Sequence, residues 1–239
     1  MVLARFVPRR LKELRRVLRG SRSLGPRLCP LCGFEGPFEA GGATPRPDAL
    51  CPGCGSLERH RLFWLSLERG LLTESGQLAG PVLHFAPEPV LEARLRGHCE
   101  GYRTADLLQP ADLRLDLERI ALDGGSQATV IANHVLEHVD DRRALSELRR
   151  ILVARGTLLV SVPLVHGWAT TYENAEVSTP ADRALHFGQS DHVRYYGRDF
   201  VERVEAAGFR LYRECVAAGD DAVRYALHRG ESLFSFVAS

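Results

Sequence analysis

Two Cys-x-x-Cys turns near the N-terminus constrain this chain more than any other feature of its sequence. They are Cys29-Pro-Leu-Cys32-Gly and Cys51-Pro-Gly-Cys54-Gly, with eighteen residues between them. At this spacing four thiolates can surround one ion tetrahedrally, and the glycine after each pair lets backbone N–H groups turn toward the sulfurs. A redox pair or two disulfides would also use such cysteines, but two matched turns favour a metal.

Soft thiolates in a tetrahedral arrangement select Zn²⁺, with iron as the second choice. We therefore predict a structural zinc ribbon over residues 29–56, with Cys29, Cys32, Cys51 and Cys54 as its ligands. Four protein ligands leave no open coordination position, so we expect the chemistry of the protein elsewhere in the chain.

Length and composition describe an ordinary globular protein. The chain has 239 residues, 45% of them hydrophobic and 26% charged, which is room for one α/β domain and one small module. No apolar run is long enough to cross a membrane, and the N-terminus does not resemble a secretory signal. Six cysteines, four of them in metal-type pairs, favour a reducing, cytoplasmic location. A net charge of +1 gives no global signal for nucleic-acid binding.

Basic residues concentrate at the N-terminus. Residues 1–23 contain eight basic residues and a single acid, Glu13. Apolar residues recur there at helical spacing, which predicts a basic amphipathic helix from Pro8 to Arg19 within an N-terminal segment 1–28. Such a helix could contact RNA, an anionic membrane surface or an acidic partner, or it could pack its apolar face on the main domain.

From Pro81 onward, short apolar segments alternate with amphipathic ones, which is typical of a parallel α/β sheet. The predicted strands are Val82–Ala86, Tyr102–Asp106, Arg114–Asp116, Ala128–Ala132, Thr157–Val162, Phe209–Cys215 and Ala222–His228. The predicted helices are one after Ser56 that stops at Gly70, one over Leu91–Arg96, one from Asp141 that ends at Gly156, and one from Phe200 that stops at Gly208.

In an open parallel sheet, ligands bind at the carboxyl ends of the strands. Those ends carry His84-Phe-Ala-Pro-Glu88, Asp106, Asp116 and Asn133-His134. Asp106 follows the first strand by about twenty residues, where a carboxylate can hold a ribose diol through two charge-assisted hydrogen bonds. The alternative is that Asp106 caps a helix or stands in a solvated turn.

Two longer stretches carry a resemblance to a known family. From about Leu57 to the C-terminus, the chain resembles the class I S-adenosylmethionine-dependent methyltransferases. Ala132-Asn-His-Val-Leu-Glu-His-Val-Asp140 is similar to the motif after the fourth strand in the small-molecule branch, and the run from Asp191 to Phe200 is similar to that branch's C-terminal part. The resemblance implies a Rossmann-like, mainly parallel seven-stranded sheet in a domain over 57–239.

The residues Cys51–Arg61 and Leu83–Glu88 resemble a bacterial subgroup that joins a Cys-Pro-x-Cys-Gly-Ser segment to a Leu-His-x-Ala-Pro-Glu strand. The wider family has an acid and spaced glycines after its first strand, whereas this loop has no glycine and Pro87 removes an N–H donor. By resemblance, the expected contacts of S-adenosylmethionine are His84, Ala86, Glu88, Asp106, Asp116 and Asn133. A fold that no longer binds the cofactor is the alternative.

The motif His134-x-x-Glu137-His138 has several possible roles, because positions i, i+3 and i+4 share one face of a helix. The three side chains could pack or cap a helix, contribute to acceptor chemistry, or hold a metal. Inverted zinc peptidases use the same letters. Some quinone-pathway O-methyltransferases hold a divalent ion with acid-x-x-Glu-His, and His134 replaces that acid here.

The resemblance implies methyl transfer from S-adenosylmethionine to an oxygen or nitrogen of a small molecule. The predicted general base is His192, oriented by Asp191, with His134 as the alternative base. Arg194, Tyr195, Tyr196, His166 and Tyr172 are candidates for lining the acceptor pocket.

Two other function classes stay open. The basic N-terminus favours RNA methylation, with the zinc ribbon and basic helix contacting rRNA or tRNA. The missing glycines favour a non-catalytic binding or scaffold protein.

Overall fold

The computed structural model describes residues 25–42 and 45–239. The predicted basic helix from Pro8 to Arg19 lies outside the described residues. Among the helices in those two ranges, none has both the length and the apolar character needed to cross a membrane.

The strands, in chain order, are β1 Arg27–Leu28, β2 Glu35–Gly36, β3 Glu39–Gly41, β4 Arg46–Leu50, β5 Val82–Phe85, β6 Tyr102–Asp106, β7 Leu113–Arg114, β8 Gln127–Asn133, β9 Leu152–Ser161, β10 Tyr172–Glu173, β11 Arg194–Tyr195, β12 Phe209–Val216 and β13 Ser232–Ala238. The helices are α1 Glu58–Glu68, α2 Pro89–Leu95, α3 Asp141–Ile151, α4 Pro180–Phe187, α5 Phe200–Glu205 and α6 Gly219–Arg224, with a 3₁₀ turn over Leu136–His138.

The chain divides into two compact units. The first contains the described residues up to Leu65 together with Val216–Glu231, and the second contains Ser66–Cys215 and Ser232–Ser239. Two small antiparallel pairs, β1 with β2 and β3 with β4, belong to the first unit. The predicted domain boundaries at residues 28 and 56 stay a prediction.

A seven-stranded sheet forms the centre of the fold, in the order β12-β13-β9-β8-β5-β6-β7. The pairs from β9 across to β7 are parallel, and β13 runs antiparallel to β9. This mostly parallel sheet confirms the predicted fold class. The chain order reverses at β5, which pairs with β8 on one side and with β6 on the other. At such a switch point an open α/β sheet generally has a crevice at the carboxyl ends of its strands.

The strands next to the crevice are buried on both faces, which explains their nearly continuous apolar sequences. All four residues of β5 are buried, including His84. Helix α3 covers one face of the sheet with Ala144, Leu145 and Leu148. Its first turn is capped by Asp140, whose side chain accepts hydrogen bonds from the backbone N–H groups of two arginines that follow it.

Several predicted elements need correction. The predicted last strand Ala222–His228 is wrong, because Gly219–Arg224 forms α6 and the strand lies at Ser232–Ala238. Burial selects the later segment, whose residues lie almost entirely inside the core. Helix α3 ends at Ile151 rather than at Gly156, and the chain enters β9 directly.

Candidate functional site

The four cysteines of the Cys-x-x-Cys turns meet in the first unit. Each offers a sulfur, and the four sulfurs lie within 4.8 Å of one another. Sγ of Cys29 lies 3.6 Å from Sγ of Cys54, and Sγ of Cys32 lies 3.7 Å from Sγ of Cys51. A tetrahedral site with Zn–S bonds of about 2.3 Å places sulfurs about 3.8 Å apart, whereas a disulfide needs about 2 Å. The cluster has the geometry of a zinc site.

The backbones of the two turns repeat one another. The N–H of Gly33 donates to the carbonyl of Cys29 and that of Gly55 donates to Cys51, at 2.8 Å in both turns. Both glycines have left-handed φ angles, +75° and +73°. Glycine reaches this conformation without the penalty that a Cβ atom imposes. The glycine after each cysteine pair therefore shapes the metal turn, as the sequence predicted.

A buried arginine lies beside the cysteine cluster. The guanidinium of Arg61 is fully buried and donates to the carbonyls of Ala49, Ser56, Tyr225 and Ala226. Burial lowers the pKa of Arg61, and the cysteine sulfurs and Glu58 oppose that shift. A fixed cation at this place offsets the negative charge that four thiolates bring to a metal.

At the sheet crevice, the parallel register places the loop after β5 beside the end of β6. Phe85 pairs with Ala105, and the N–H of Ala86 donates to the carbonyl of Ala105 at 2.8 Å. Asp106 is the next residue along β6, so its carboxylate and the Ala86–Glu88 loop lie at the same edge. The structure thus brings together two of the predicted cofactor-binding segments.

Asp106 uses one of its two carboxylate oxygens to shape its own loop. Oδ1 accepts from the N–H groups of Leu108 and Gln109, both at 2.7 Å, whereas Oδ2 makes no hydrogen bond within the described residues. Leu107 and Leu108 follow with 44% and 83% of their surface exposed. A free carboxylate oxygen beside exposed apolar side chains is suited to a ribose and an adjoining planar base.

The loop after β5 keeps a glycine-like conformation without a glycine. Ala86 has φ +46°, in the left-handed region that glycine favours. The His84 imidazole is buried, with Nδ1 2.8 Å from the Tyr102 hydroxyl and Nε2 3.2 Å from Glu88. His84 therefore fixes the side chain of Glu88 at the start of α2.

Asn133 and Asp116 lie at the ends of neighbouring strands. The amide oxygen of Asn133 accepts from the Ser161 hydroxyl at 3.2 Å, which joins the ends of β8 and β9. Asp116 lies just after β7 and is exposed, and one of its carboxylate oxygens accepts from the N–H of Glu118 at 2.9 Å. Both residues lie near the predicted cofactor edge.

The His134-x-x-Glu137-His138 motif does not start a helix as predicted. His134 has φ +52°, and the chain then makes the 3₁₀ turn over Leu136–His138 before α3 begins. Nδ1 of His134 lies 3.3 Å from Oε1 of Glu137, whose side chain is only 1% exposed. Burial by itself raises the pKa of Glu137. The hydrogen bond to His134 and the charges of His134 and His138 lower the pKa by more than burial raises it, so the net shift is downward.

His192 and Asp191 both reach this motif from the loop before β11. His192 is buried against His138, with ring centroids 4.6 Å apart and nearly perpendicular. Burial lowers the pKa of His192, so its imidazole is neutral near pH 7. Asp191 is largely exposed and its carboxylate lies 3.6 Å from Nδ1 of His138. Asp191 thus pairs with His138.

An ion-pair network fastens the His192 loop to the rest of the second unit. Arg194 donates to the carbonyls of Leu136 and Val139 and pairs with Glu173 at 3.1 Å. Arg203 pairs with Asp141, a carboxylate that is almost fully buried, at 2.9 Å. The pairing of Asp141, Glu173, Arg194 and Arg203 had no signal in the sequence, because the partners come from distant segments.

A polar cleft of about 500 Å³ opens beside this network, with His138, Asp141, Glu173, Arg183, Arg194 and Arg203 in its lining. Of the predicted acceptor-pocket residues, Arg194 lies in that lining. Tyr196 is fully buried and bonds to Asp141 instead. The Tyr172 hydroxyl contacts Nδ1 of His186 at 2.7 Å.

Comparisons with known proteins agree with this architecture. Residues 82–160 match the family model described as a methyltransferase domain. A solved S-adenosylmethionine-dependent methyltransferase from Mesorhizobium loti shares the fold, with a TM-score of 0.50, 15% identity, and 74% of this chain and 97% of that chain covered. The [4+2]-cyclase SpnF gives a TM-score of 0.51 at 14% identity, covering 75% of this chain and 81% of that chain. No curated protein sequence matches the chain.

Residues 82–160 thus match a methyltransferase domain, and the strand order is that of the Rossmann-like methyltransferase fold. Both findings agree with the predicted family. An N-terminal four-cysteine cluster with the geometry of a zinc ribbon accompanies the domain.

Proposed function

We propose that the protein transfers a methyl group from S-adenosylmethionine to an oxygen or nitrogen of a small molecule. The observation that carries this proposal is the end of β6, where Asp106 keeps one carboxylate oxygen without a hydrogen bond in the described chain, beside the exposed Leu107 and Leu108. Asp106 would hold the ribose, and the two leucines would contact the adenine together with the segment around Asp116.

The methionine end of the cofactor would lie over the Ala86–Glu88 loop. Its ammonium group needs an anion, and the Glu88 carboxylate is held there by His84. The left-handed Ala86 supports close approach, because the backbone keeps the conformation that a glycine would give it. Asn133 completes the proposed set of contacts from the end of β8.

When bound, S-adenosylmethionine supplies a methyl group on a sulfonium that is a good leaving centre. The protein's part is then to position the acceptor and take its proton. We propose His134 for the proton, because it directly follows β8 at the carboxyl end of the sheet and Glu137 orients its ring through Nδ1. The prediction that His192 is the base stays a prediction; its burial would require the loop to open first.

A matched pair of variants distinguishes the two histidines once an acceptor is in hand. Single-turnover methyl transfer should fall about a hundredfold in His134→Ala with unchanged cofactor affinity, as is typical of a lost general base. His228→Ala, which removes an exposed histidine of the first unit, should keep the wild-type rate. If His192→Ala loses the rate and His134→Ala does not, the assignment is reversed.

The zinc ribbon is part of the same proposal. The sulfur distances and the repeated turn geometry support one structural Zn²⁺ bound by Cys29, Cys32, Cys51 and Cys54. The alternative of RNA methylation depends on the basic residues before Gly25, which lie outside the described residues, so no structural observation favours it.

Titration calorimetry of the full-length protein with S-adenosylmethionine and with its demethylated product tests the proposal. We expect binding of one cofactor per chain and a rise in melting temperature. If saturating ligand gives neither heat nor a thermal shift, the protein is a non-catalytic member of the fold. Mass spectrometry of small molecules retained through native purification would then identify what it binds.

A further inference from the structure

Three side chains from two distant segments meet beside the polar cleft, and one of them, His138, lines it. Glu137, His138 and His192 each bring one ligand-type atom to within 4.8 Å of the other two. The two imidazoles contact each other directly, with ring centroids 4.6 Å apart. Atoms bound to one metal ion at about 2.1 Å lie up to about 4.2 Å apart, so small side-chain rotations bring these three within bonding distance of a common ion.

Two buried polar atoms of this cluster lack a hydrogen bond within the described residues, namely Oε2 of Glu137 and Nδ1 of His192. The two residues are 1% and 2% exposed, so water does not reach them easily. Leaving a buried polar atom without a partner costs on the order of 1–3 kcal/mol. Oε1 of Glu137 already contacts His134, so an ion bound at Oε2 would give the carboxylate its missing partner.

The surrounding structure holds the cluster in place. The N–H of Val193 donates to the carbonyl of Glu137 at 2.9 Å, and Arg194 donates to the carbonyls of Leu136 and Val139. These bonds keep the His192 loop against the turn that carries Glu137 and His138. A site assembled in advance loses little conformational entropy when it binds a ligand.

We propose that Glu137, His138 and His192 bind a divalent first-row transition metal ion. Two imidazoles and one carboxylate favour such an ion over Mg²⁺ or Ca²⁺, which prefer oxygen ligands. Three protein ligands also leave an open coordination position, which the four-cysteine cluster does not have. His138 lines the cleft, so a polar group of a ligand in the cleft can occupy that position.

Co²⁺ is the probe that tests this site, added to the full-length protein after it has been saturated with Zn²⁺ and freed of excess zinc with a mild chelator. We expect calorimetry to show one equivalent of Co²⁺ binding or exchanging in the wild type, with a rise in melting temperature. His192→Ala and Glu137→Gln should each bind one equivalent of metal less. This difference does not depend on what the cysteines bind.

His186→Ala is the matched control, because it removes an exposed histidine outside the cluster and should bind as much metal as the wild type. If Glu137→Gln does not fold, His138→Ala replaces it, since His138 is less buried. Equal metal content in wild type and His192→Ala, with both folded by circular dichroism, would overturn the proposal. The measurement uses no cofactor and no acceptor, so its failure would leave the methyl-transfer proposal untouched.

Discussion

The Tyr196 hydroxyl donates a 3.0 Å hydrogen bond to the buried carboxylate of Asp141. This contact joins the segment after β11 to the first turn of α3, across 55 residues of sequence. Arg203 pairs with the same carboxylate at 2.9 Å, so the charge of Asp141 is compensated although it is almost fully buried. The network holds the loop that carries His192 beside the end of β8.

Removing that hydroxyl tests the network. Tyr196→Phe should lower the free energy of unfolding by about 1–2 kcal/mol, because Asp141 loses one of its partners but keeps Arg203. Tyr195→Phe is the matched control, since the Tyr195 hydroxyl has no hydrogen bond in the described part of the chain. Urea unfolding of both variants provides the measurement. Equal stability of Tyr196→Phe and wild type would show that the contact contributes nothing.

The cysteine cluster gives a prediction about metal content. Cys51→Ser should lose the zinc of the first unit, because three thiolates and a hydroxyl bind Zn²⁺ far more weakly than four thiolates. Cys99→Ser removes a buried cysteine outside the cluster and should retain the metal. Elemental analysis after gel filtration measures both. A wild-type protein with disulfide-bonded cysteines and no zinc would contradict the assignment.

The proposed ribose contact of Asp106 can be separated from its role in its own loop. Asp106→Asn keeps an oxygen that can accept from the N–H groups of Leu108 and Gln109, but it loses the negative charge and the second acceptor. We expect an unchanged melting temperature and a cofactor dissociation constant that rises at least tenfold, since hydrogen bonds to charged groups contribute about 1.5–3 kcal/mol. Calorimetry checks this. Wild-type affinity in Asp106→Asn would mean that the ribose lies elsewhere.

Glu147 on helix α3, which bonds to Arg150 and to the Ile120 N–H, should stabilise the protein less at acidic pH than at neutral pH. The hydrogen bonds of Arg150, followed by that of the Ile120 N–H, hold the pKa of Glu147 below its ordinary value. A carboxyl with a lowered folded-state pKa stabilises the protein above its unfolded pKa, and this contribution is lost as the pH falls through the lowered value. Glu147→Gln should therefore cost up to about 1 kcal/mol near pH 7 and much less near pH 3.

The control for that comparison is Glu100→Gln, which removes an exposed carboxylate with no ion pair among the described residues. Its unfolding free energy should follow that of the wild type from neutral to acidic pH. Urea unfolding at both pH values measures the two variants together. If Glu147→Gln lowers the free energy of unfolding by the same amount near pH 7 and near pH 3, the charge of the Glu147 carboxylate is not what stabilises the protein there.

The sequence predicted the cysteine turns and four of the seven strands of the sheet closely, and it predicted two further strands in part. Their signals are local: a repeated spacing in the first case and short apolar runs in the second. It placed the last strand wrongly at Ala222–His228, because that segment and Ser232–Ala238 are both short and apolar. Only the space remaining beside β9 decides which of them enters the sheet.

Asp106 was also visible in the sequence, because it directly follows an apolar strand at a regular distance from the first. The cluster of Glu137, His138 and His192 was not, because it forms only when a loop some fifty residues downstream folds back onto the turn after β8. Asp141 and Arg203 meet for the same reason. Local order along the chain thus determined the two cysteine turns, most strands and the position of Asp106 at the end of β6, whereas long-range packing decided which titratable side chains share a buried site.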